Sequence, residues 1–448
     1  MRRKLLLTIP FLLSFSLAGS SVISSDRPYV ASASADQLPR LAQSIRSSRN
    51  ADPERLYDRV FNLIKDDFYE PDVLGKQNWD RWQHRYDGKL KTLDDSHKAI
   101  ETMLASLGDR YTRFLDLEAF ADEKSQIDAK LFGIGIQIGI DKDHRVVVIT
   151  PIDDTPASRA GLQAGDEIAE IDGKTTKGFS VEDAAKSIRG KIDSPVSLVL
   201  MRSKQRIKVT VVRAEIPIKA VQTVKMLDSQ VGYIRLSSFI SQQANREMSD
   251  ALGKMSSAKG IILDLRDNPG GLLTNAIDIS NMFLDSGIIV STVDRDGYKN
   301  ASPSDGRPIC RQPMVVLVNK GSASASEITS GALKDNGRAT LVGQTTFGKG
   351  LVQGINKLDD GSGVNITIAR YLTPNDTDIN KKGIGPDVKV ELSDKDYKDG
   401  KGPWWADPEG PAVKRAPEDM KDMQLKSAVD EVHRKIDDIN PVAINARK

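Results

Sequence analysis

Residues 314–328 read Met314-Val315-Val316-Leu317-Val318-Asn319-Lys320-Gly321-Ser322-Ala323-Ser324-Ala325-Ser326-Glu327-Ile328. Five apolar residues without polar alternation, then a glycine and small polar residues, then a helical pattern, describe a strand covered on both faces that turns directly into a helix. A second such strand, Gly260-Ile261-Ile262-Leu263-Asp264-Leu265, lies upstream, and the spacing predicts helices over 242–255, 273–284 and 324–335. Buried strands alternating with amphipathic helices make residues 214–395 an α/β unit.

Outward from this unit the pattern changes twice. Residues 126–213 carry short β-branched runs such as Val146-Val147-Val148-Ile149 and Val209-Thr210-Val211-Val212, a hairpin signal at Asp172-Gly173, and one helix near Ser180–Ile188. Residues 36–125 read as helical: Asp52-Pro53 opens a helix bearing Leu56, Val60, Phe61, Ile64 and Phe68. Ser96 is placed as the cap of a second helix, which Gly108 closes. After residue 395 a stretch rich in Pro, Gly and charge, 398–418, reads as a linker. A last amphipathic helix follows, with Leu425, Val429, Val432, Ile436 and Ile439 on one stripe. The apolar faces of the N-terminal and C-terminal helices leave two uses open, a homodimer contact or packing within one chain.

At the start, Arg2-Arg3-Lys4, an apolar run from Leu5 to about Ala18 and small residues through Ala35 have the order of a secretory signal peptide, so residues 1–35 are expected to direct export. The run is short for a membrane span, and an uncleaved N-terminal anchor is the alternative. Export leaves the periplasm, the thylakoid lumen and the cell envelope open. The 448 residues hold 64 basic and 62 acidic side chains, a net charge of +2, which gives no global attraction to nucleic acid or an anionic membrane. One cysteine, Cys310, excludes an internal disulfide and a cysteine-based zinc site, and no metal or other cofactor is expected.

Leu162-Gln163-Ala164-Gly165-Asp166-Glu167-Ile168-Ala169-Glu170-Ile171-Asp172-Gly173 resembles the signature of a PDZ domain, and Phe132-Gly133-Ile134-Gly135 resembles its carboxylate-binding loop. A peptide's C-terminus would add as a strand beside Ile134–Ile138. Gly133 and Gly135 are expected to let successive amides face the terminal carboxylate, where an alanine would intrude.

A serine at a strand-to-helix junction lies near the positive amides of a helix start, a favourable place for an alkoxide or an oxyanion. Ser324-x-x-Glu327 is equally a capping box, which needs no catalysis, so this segment alone leaves both open. His84, His97, His144 and His433 all lie outside residues 214–432, which excludes a Ser-His-Asp triad built within one domain. A lysine must then serve as base, and Lys349 in Gly343-Gln344-Thr345-Thr346-Phe347-Gly348-Lys349-Gly350 is the candidate. That stretch nearly matches a phosphate loop. Gly350 stands where its hydroxyl residue belongs, however, and Leu351–Ile355 reads as strand where a helix is required, so no nucleotide is expected. Ser256-x-x-Lys259 resembles a β-lactamase dyad without its companion elements.

Taken in order from about residue 52 to 390, the pattern resembles the carboxyl-terminal processing (tail-specific) proteases. The likeness adds Leu107-Gly108-Asp109-Arg110-Tyr111-Thr112-Arg113-Phe114-Leu115 and Gly232-Tyr233-Ile234-Arg235-Leu236. It also adds Asp264-Leu265-Arg266-Asp267-Asn268-Pro269-Gly270-Gly271 and Gly383-Ile384-Gly385-Pro386-Asp387-Val388. One departure is Asn375-Asp376 after Thr373-Pro374, where relatives commonly have glycine. The resemblance implies an α+β multidomain chain: an N-terminal helical region, a β-sandwich-like PDZ domain, a crotonase-like α/β protease core and a C-terminal helix. It implies Ser324 as nucleophile, Lys349 as general base, Gln353 orienting its amine, and the Gly270 and Ala325 amides holding the oxyanion. Asp335 matches the family's charge-relay position. Eleven residues along a helix is roughly 16 Å, too far to bond Ser324, which favours a structural carboxylate there.

The implied reaction is hydrolysis of protein or peptide substrates with free C-termini. A lysine with pKa about 10.4 must lose roughly two units by burial, about 2.7 kcal/mol, before it can accept a proton. That cost suggests a dyad assembled when the PDZ domain is occupied, with Arg189 as a candidate relay toward Gln353 or, alternatively, a solvated surface arginine. A catalytically silent exported PDZ scaffold is the rival reading, and retention of Ser324, Lys349 and Gln353 together argues against it.

Overall fold

A computed structural model describes residues 51–128, 130–141, 143–152, 154–217, 219–405 and 416–439. The signal-like residues 1–35 lie outside them. Asp52 accepts the amides of Glu54 and Arg55 and so caps α1 (Pro53–Asp67), as its Asp-Pro pair predicts. After a short α2 (Pro71–Lys76), the cap of α3 (Leu93–Ala105) is Thr92, in a reciprocal box with Asp95, and not Ser96. Ser96 is turned inward and donates to the Pro53 carbonyl at 2.5 Å, tying α3 to the start of α1. Phe61, Ile64, Ile100 and Met103 interlock between the two helices, with Trp79 and Trp82 beside them. The helical reading of this region is incomplete. The chain continues as β1 (Arg113–Leu115), paired antiparallel with residues 363–365 of the α/β unit, and then α4 (Leu117–Ile127).

The middle unit begins with β2 (Lys130–Gly133), β3 (Ile136–Ile140), β4 (Val146–Pro151) and a short α5 (Pro156–Arg159) that sequence reading missed. It continues through β5 (Glu167–Ile171), β6 (Lys174–Thr175), α6 (Val181–Ile188), β7 (Pro195–Arg202), β8 (Gln205–Val212) and β9 (Ala214–Pro217). Asp172 and Gly173 take φ of 47° and 78°, the two positive values that a tight hairpin between β5 and β6 needs. The sheet runs β3-β4-β5-β7-β8, with β6 on β5, and β3 is its open edge, beside α6. Strands β2 and β9 form a separate ribbon that carries the chain in and out.

The α/β unit comprises β10 (Val221–Met226), β11 (Val231–Leu236), α7 (Ala244–Lys254), β12 (Gly260–Asp264), α8 (Leu273–Asn281), β13 (Ile288–Asp294) and β14 (Lys299–Pro303). It goes on through β15 (Met314–Val318), α9 (Ala325–Asp335), β16 (Thr340–Gly343), β17 (Leu351–Lys357), β18 (Gly363–Leu372), β19 (Val388–Lys389), α10 (Asp394–Lys398) and α11 (Met423–Ile439). Its main sheet runs β10-β11-β12-β15-β16-β19, parallel from β11 onward. Ile261, Leu263, Val316 and Val318 point to one face, where α7, α8 and α9 pack; Ile262, Val315 and Leu317 point to the other, where Leu425, Val432 and Ile436 of α11 cover them. This two-sided burial is why β12 and β15 carry no polar alternation. A second, antiparallel sheet, β1-β18-β13-β14 with β17 on β18, stands against it. Both apolar stripes that left a dimer open are thus used inside the chain, although Ile439 remains exposed.

The described part of the Pro- and Gly-rich segment is packed. Trp404 Nε1 donates to Tyr233 Oη at 3.0 Å and its backbone amide to Asp422 Oδ2 at 3.2 Å. Beneath it lies Arg266, fully buried between Asp264 at 2.6 Å and Asp422 at 2.9 Å. A guanidinium so enclosed depends on both carboxylates, because an unpaired buried charge costs several kcal/mol. Asp422→Ala should therefore lower unfolding free energy by about 3 kcal/mol in urea denaturation, since Asp264 still holds one side of the arginine. Removing the exposed Lys98–Asp94 pair should leave the midpoint unchanged.

Candidate active site

β15 ends at Val318, and the chain must turn within a few residues to enter α9. Asn319 makes the turn: its Oδ1 accepts from Asp267 N at 2.9 Å and Gly321 N at 3.0 Å. The outer serines of the run brace the scaffold. Ser322 Oγ donates to the Leu265 carbonyl at 2.7 Å, and Ser326 Oγ donates to the Asn268 carbonyl at 2.9 Å. Ser324, between them, sits at φ 54° and ψ −115°, a conformation that costs a non-glycine residue about 1–3 kcal/mol. Its carbonyl is held by Glu327 N at 2.8 Å, Ile328 N at 2.9 Å and Tyr371 Oη at 3.2 Å. Strain kept in place by three bonds to one carbonyl marks out the middle serine.

Glu327 is also more than a helix cap. Its Oε2 accepts from the backbone amides of Ser324 and Lys349, both at 2.9 Å; its Oε1 accepts from Gly348 N at 2.7 Å and Thr346 Oγ1 at 2.5 Å. The Glu327 amide in turn donates to the Ser324 carbonyl, so residue 327 grips residue 324 through both its side chain and its backbone. Burial raises the Glu327 pKa, and the four donated bonds work against that rise.

From the end of β16, loop 344–350 folds back on the serine turn, Gln344 N bonding Val318 O and Phe347 N bonding Ser322 O, each at 3.0 Å. A Cβ on Gly383 would lie 2.3 Å from the Thr346 carbonyl, so the Gly383-Ile384-Gly385 segment meets this loop backbone to backbone. Lys349 ends the loop only 5% exposed, its ammonium 4.8 Å from the centre of the Tyr111 ring. Burial, reinforced by the Arg113 guanidinium, brings its pKa down from 10.5 to about 8. Tyr111 was legible in the sequence only as part of a motif. That motif is a wall of the site: Asp109 Oδ2 accepts from Thr112 Oγ1 at 2.8 Å and from Thr367 Oγ1 at 2.5 Å, and Thr367 pairs with Gln353 across β17 and β18.

Gln353 is buried on β17, and among the described residues its Nε2 has no partner. Gly270 lies against Ser324 at φ 98°; a Cβ there would stand 2.8 Å from Ala325 N and 2.9 Å from Ser324 Cβ. The expected pair of oxyanion donors is only half open, since the Gly270 amide donates to Asn268 Oδ1 at 2.9 Å. Ala325 begins α9, where an amide has no acceptor within its own helix. Asp335, at the far end of α9, accepts from Thr373 Oγ1 at 2.6 Å and Asn375 N at 3.0 Å. It fixes the turn in which Asp376 takes a φ of 58°, the glycine-like conformation that an aspartate tolerates. Arg189 pairs with Asp122 of α4 at 2.6 Å, and among the described residues it makes no bond to Gln353.

In the middle unit Phe132 and Gly133 are strand, paired with Glu215 and Ala214, and Ile134-Gly135 makes the turn into β3. The two glycines differ. Gly135, at φ 80°, has no room for a Cβ, which would fall 2.3 Å from Thr155 Cβ. A Cβ on Gly133 meets nothing within 4 Å, which corrects the expectation that alanine would intrude there. His84, His97 and His433 pair with Asp87, Asp360 and Asp228, apart from Ser324. Among the described residues no cluster of His, Cys, Asp and Glu is arranged to hold a metal, and no helix is long and apolar enough to cross a membrane.

Residues 230–390 match Peptidase family S41 and residues 123–201 match the PDZ domain. The chain is 39% identical over 348 residues to a carboxyl-terminal-processing protease of Synechocystis sp., covering 75% of this chain and 81% of that one. It is 42% identical over 334 residues to the protein of that name from Picosynechococcus sp., covering 72% and 80%. A solved photosystem II D1 C-terminal processing protease superposes with a TM-score of 0.53 at 33% identity, over 76% of this chain and 94% of that one. Identity at this level across four-fifths of a relative's length, together with the two domain matches, places the chain among the carboxyl-terminal processing proteases, serine-type peptidases of family S41, here with a PDZ domain.

Proposed function

We propose that the chain is an exported endopeptidase that reads the free C-terminus of a protein substrate with its PDZ domain and cleaves peptide bonds with Ser324 and Lys349. The observation that carries this reading is a lysine buried beside a strained serine, with its pKa lowered to about 8. Neutral Lys349 takes the proton of Ser324 Oγ as that oxygen attacks the substrate carbonyl carbon. The resulting oxyanion is received by the Ala325 amide at the start of α9 and by the Gly270 amide, which exchanges Asn268 Oδ1 for it. The lysine ammonium then protonates the leaving amine. A water, deprotonated by the again neutral Lys349, attacks the acyl carbon, and the ammonium returns the proton to Ser324 Oγ as the ester bond breaks. Gln353 orients the Lys349 amine. The substrate tail adds to the open edge of β3, its carboxylate at the Phe132–Gly135 segment that leads into it. Export rests on the signal-like residues 1–35.

Ser324→Ala and Lys349→Ala should each abolish peptide cleavage, and Lys349→Arg should be equally inactive because a guanidinium stays charged. Either alanine variant retaining full activity would remove the dyad. Because the working form of Lys349 is the neutral one, kcat/KM should rise about tenfold per unit as pH climbs toward 8 and level off above it. A flat profile between pH 6 and 9 would contradict the lysine base.

Amidating the substrate C-terminus should lower kcat/KM by roughly ten- to hundred-fold, the value of a charge-assisted bond. Gly135→Ala should erase the difference between free and amidated peptides, and Gly133→Ala should preserve it. Equal cleavage of both peptides by the unmutated enzyme would sink the tail-reading mechanism.

A further inference from the structure

We infer that Glu327 is a positioning residue for the reaction, one carboxylate that sets the backbones of Ser324 and Lys349 in register. The inference rests on the Ser-Lys reading above and adds a residue to it. A helix cap needs one or two amides and can stand in water. Glu327 instead is fully buried and takes donors from three places: Ser324 at the helix start, Thr346, and the Gly348-Lys349 amides that lead into β17. Because Ser324 N and Lys349 N share Oε2, the two nitrogens cannot stand farther apart than twice 2.9 Å. Thr346 extends the arrangement, since its Oγ1 accepts Ile384 N at 2.7 Å while donating to Glu327.

Only an ionised carboxylate can accept all four donors, because it has acceptor sites on both oxygens and no hydrogens. Glutamine has the same shape but keeps one acceptor oxygen, and its NH2 must face a pair of donors. The Thr346 hydroxyl can rotate to accept from that NH2, but the Gly348 amide cannot. Glu327→Gln therefore loosens the loop that carries Lys349 while sparing the shape of the core.

The test measures kcat, KM and the pH profile for Glu327→Gln and for Thr346→Val, which removes one of the four bonds to Glu327 together with the bond from Ile384 N, with thermal unfolding as the check on folding. Glu327→Gln should lower kcat about 100-fold or more with KM nearly unchanged. It should also move the ascending limb of the profile upward from about 8, toward the ordinary lysine value, as the amine regains water. Thr346→Val should move both in the same direction by a smaller amount, and it decides the matter if Glu327→Gln does not fold. Loss of activity with the limb still near 8 would mean a structural role only and overturn the inference, as would wild-type kcat in the folded variants. Ser324→Ala and Lys349→Ala are assayed alongside. If both are inactive while Glu327→Gln is normal, this inference alone fails; if they are active, the dyad reading itself has failed.

Discussion

Four hydrogen bonds converge on the buried carboxylate of Glu327, and the geometry of the site depends on them. They join two strand-to-element junctions of different kinds, the turn from β15 into α9 and the loop from β16 into β17. Ser324 is held at an unfavourable positive φ and Lys349 in surroundings that disfavour its charge, and each state persists only because its neighbours over-determine it. A carboxylate costs several kcal/mol to bury unpaired, so these bonds offset its own desolvation as well.

The rest of the fold supplies a frame stiff enough for that arrangement. The main sheet is sealed on one face by α7, α8 and α9 and on the other by α11, and Arg266 clamps α11 to it through Asp264 and Asp422. The N-terminal region closes the site from the opposite side. β1 joins β18, Tyr111 lies over Lys349, and the buried Glu123 of α4 bonds Asn365 at 3.2 Å and Arg113 at 3.3 Å. The same α4 meets the PDZ helix α6 through the Lys186–Glu118 and Arg189–Asp122 pairs, each 2.6 Å. The PDZ domain and the lysine surroundings are therefore joined by one helix, fastened at the PDZ side by exposed ion pairs that contribute little to stability.

Much of this was legible in the sequence where one residue type has one physical use. The unbroken apolar runs of β12 and β15 required cover on both faces, Asp52-Pro53 required a helix start, and Asp172-Gly173 required a tight turn. Where a residue has several uses, the pattern alone did not choose. Ser324-x-x-Glu327 described a cap but not the four partners of its glutamate, three of which lie at least 19 residues away in the chain. A hydroxyl at Ser96 suits a helix cap, yet Thr92 has the better-placed aspartate three residues on and takes that role. β1 escaped notice because three residues carry no period. The pairing of Arg189 with Asp122 depended on a distance between domains that no local pattern encodes.

Covalent labelling tests directly whether a buried, neutral lysine activates Ser324, without requiring the substrate tail. The protein is treated with a fluorophosphonate across pH 6 to 9, and the modified residue is located by peptide mass spectrometry. A single adduct on Ser324 is expected, with a labelling rate that rises through a midpoint near pH 8 and is lost in Lys349→Ala. Labelling of Ser324 that ignores pH and survives Lys349→Ala, or an adduct on another serine, would contradict activation of Ser324 by Lys349.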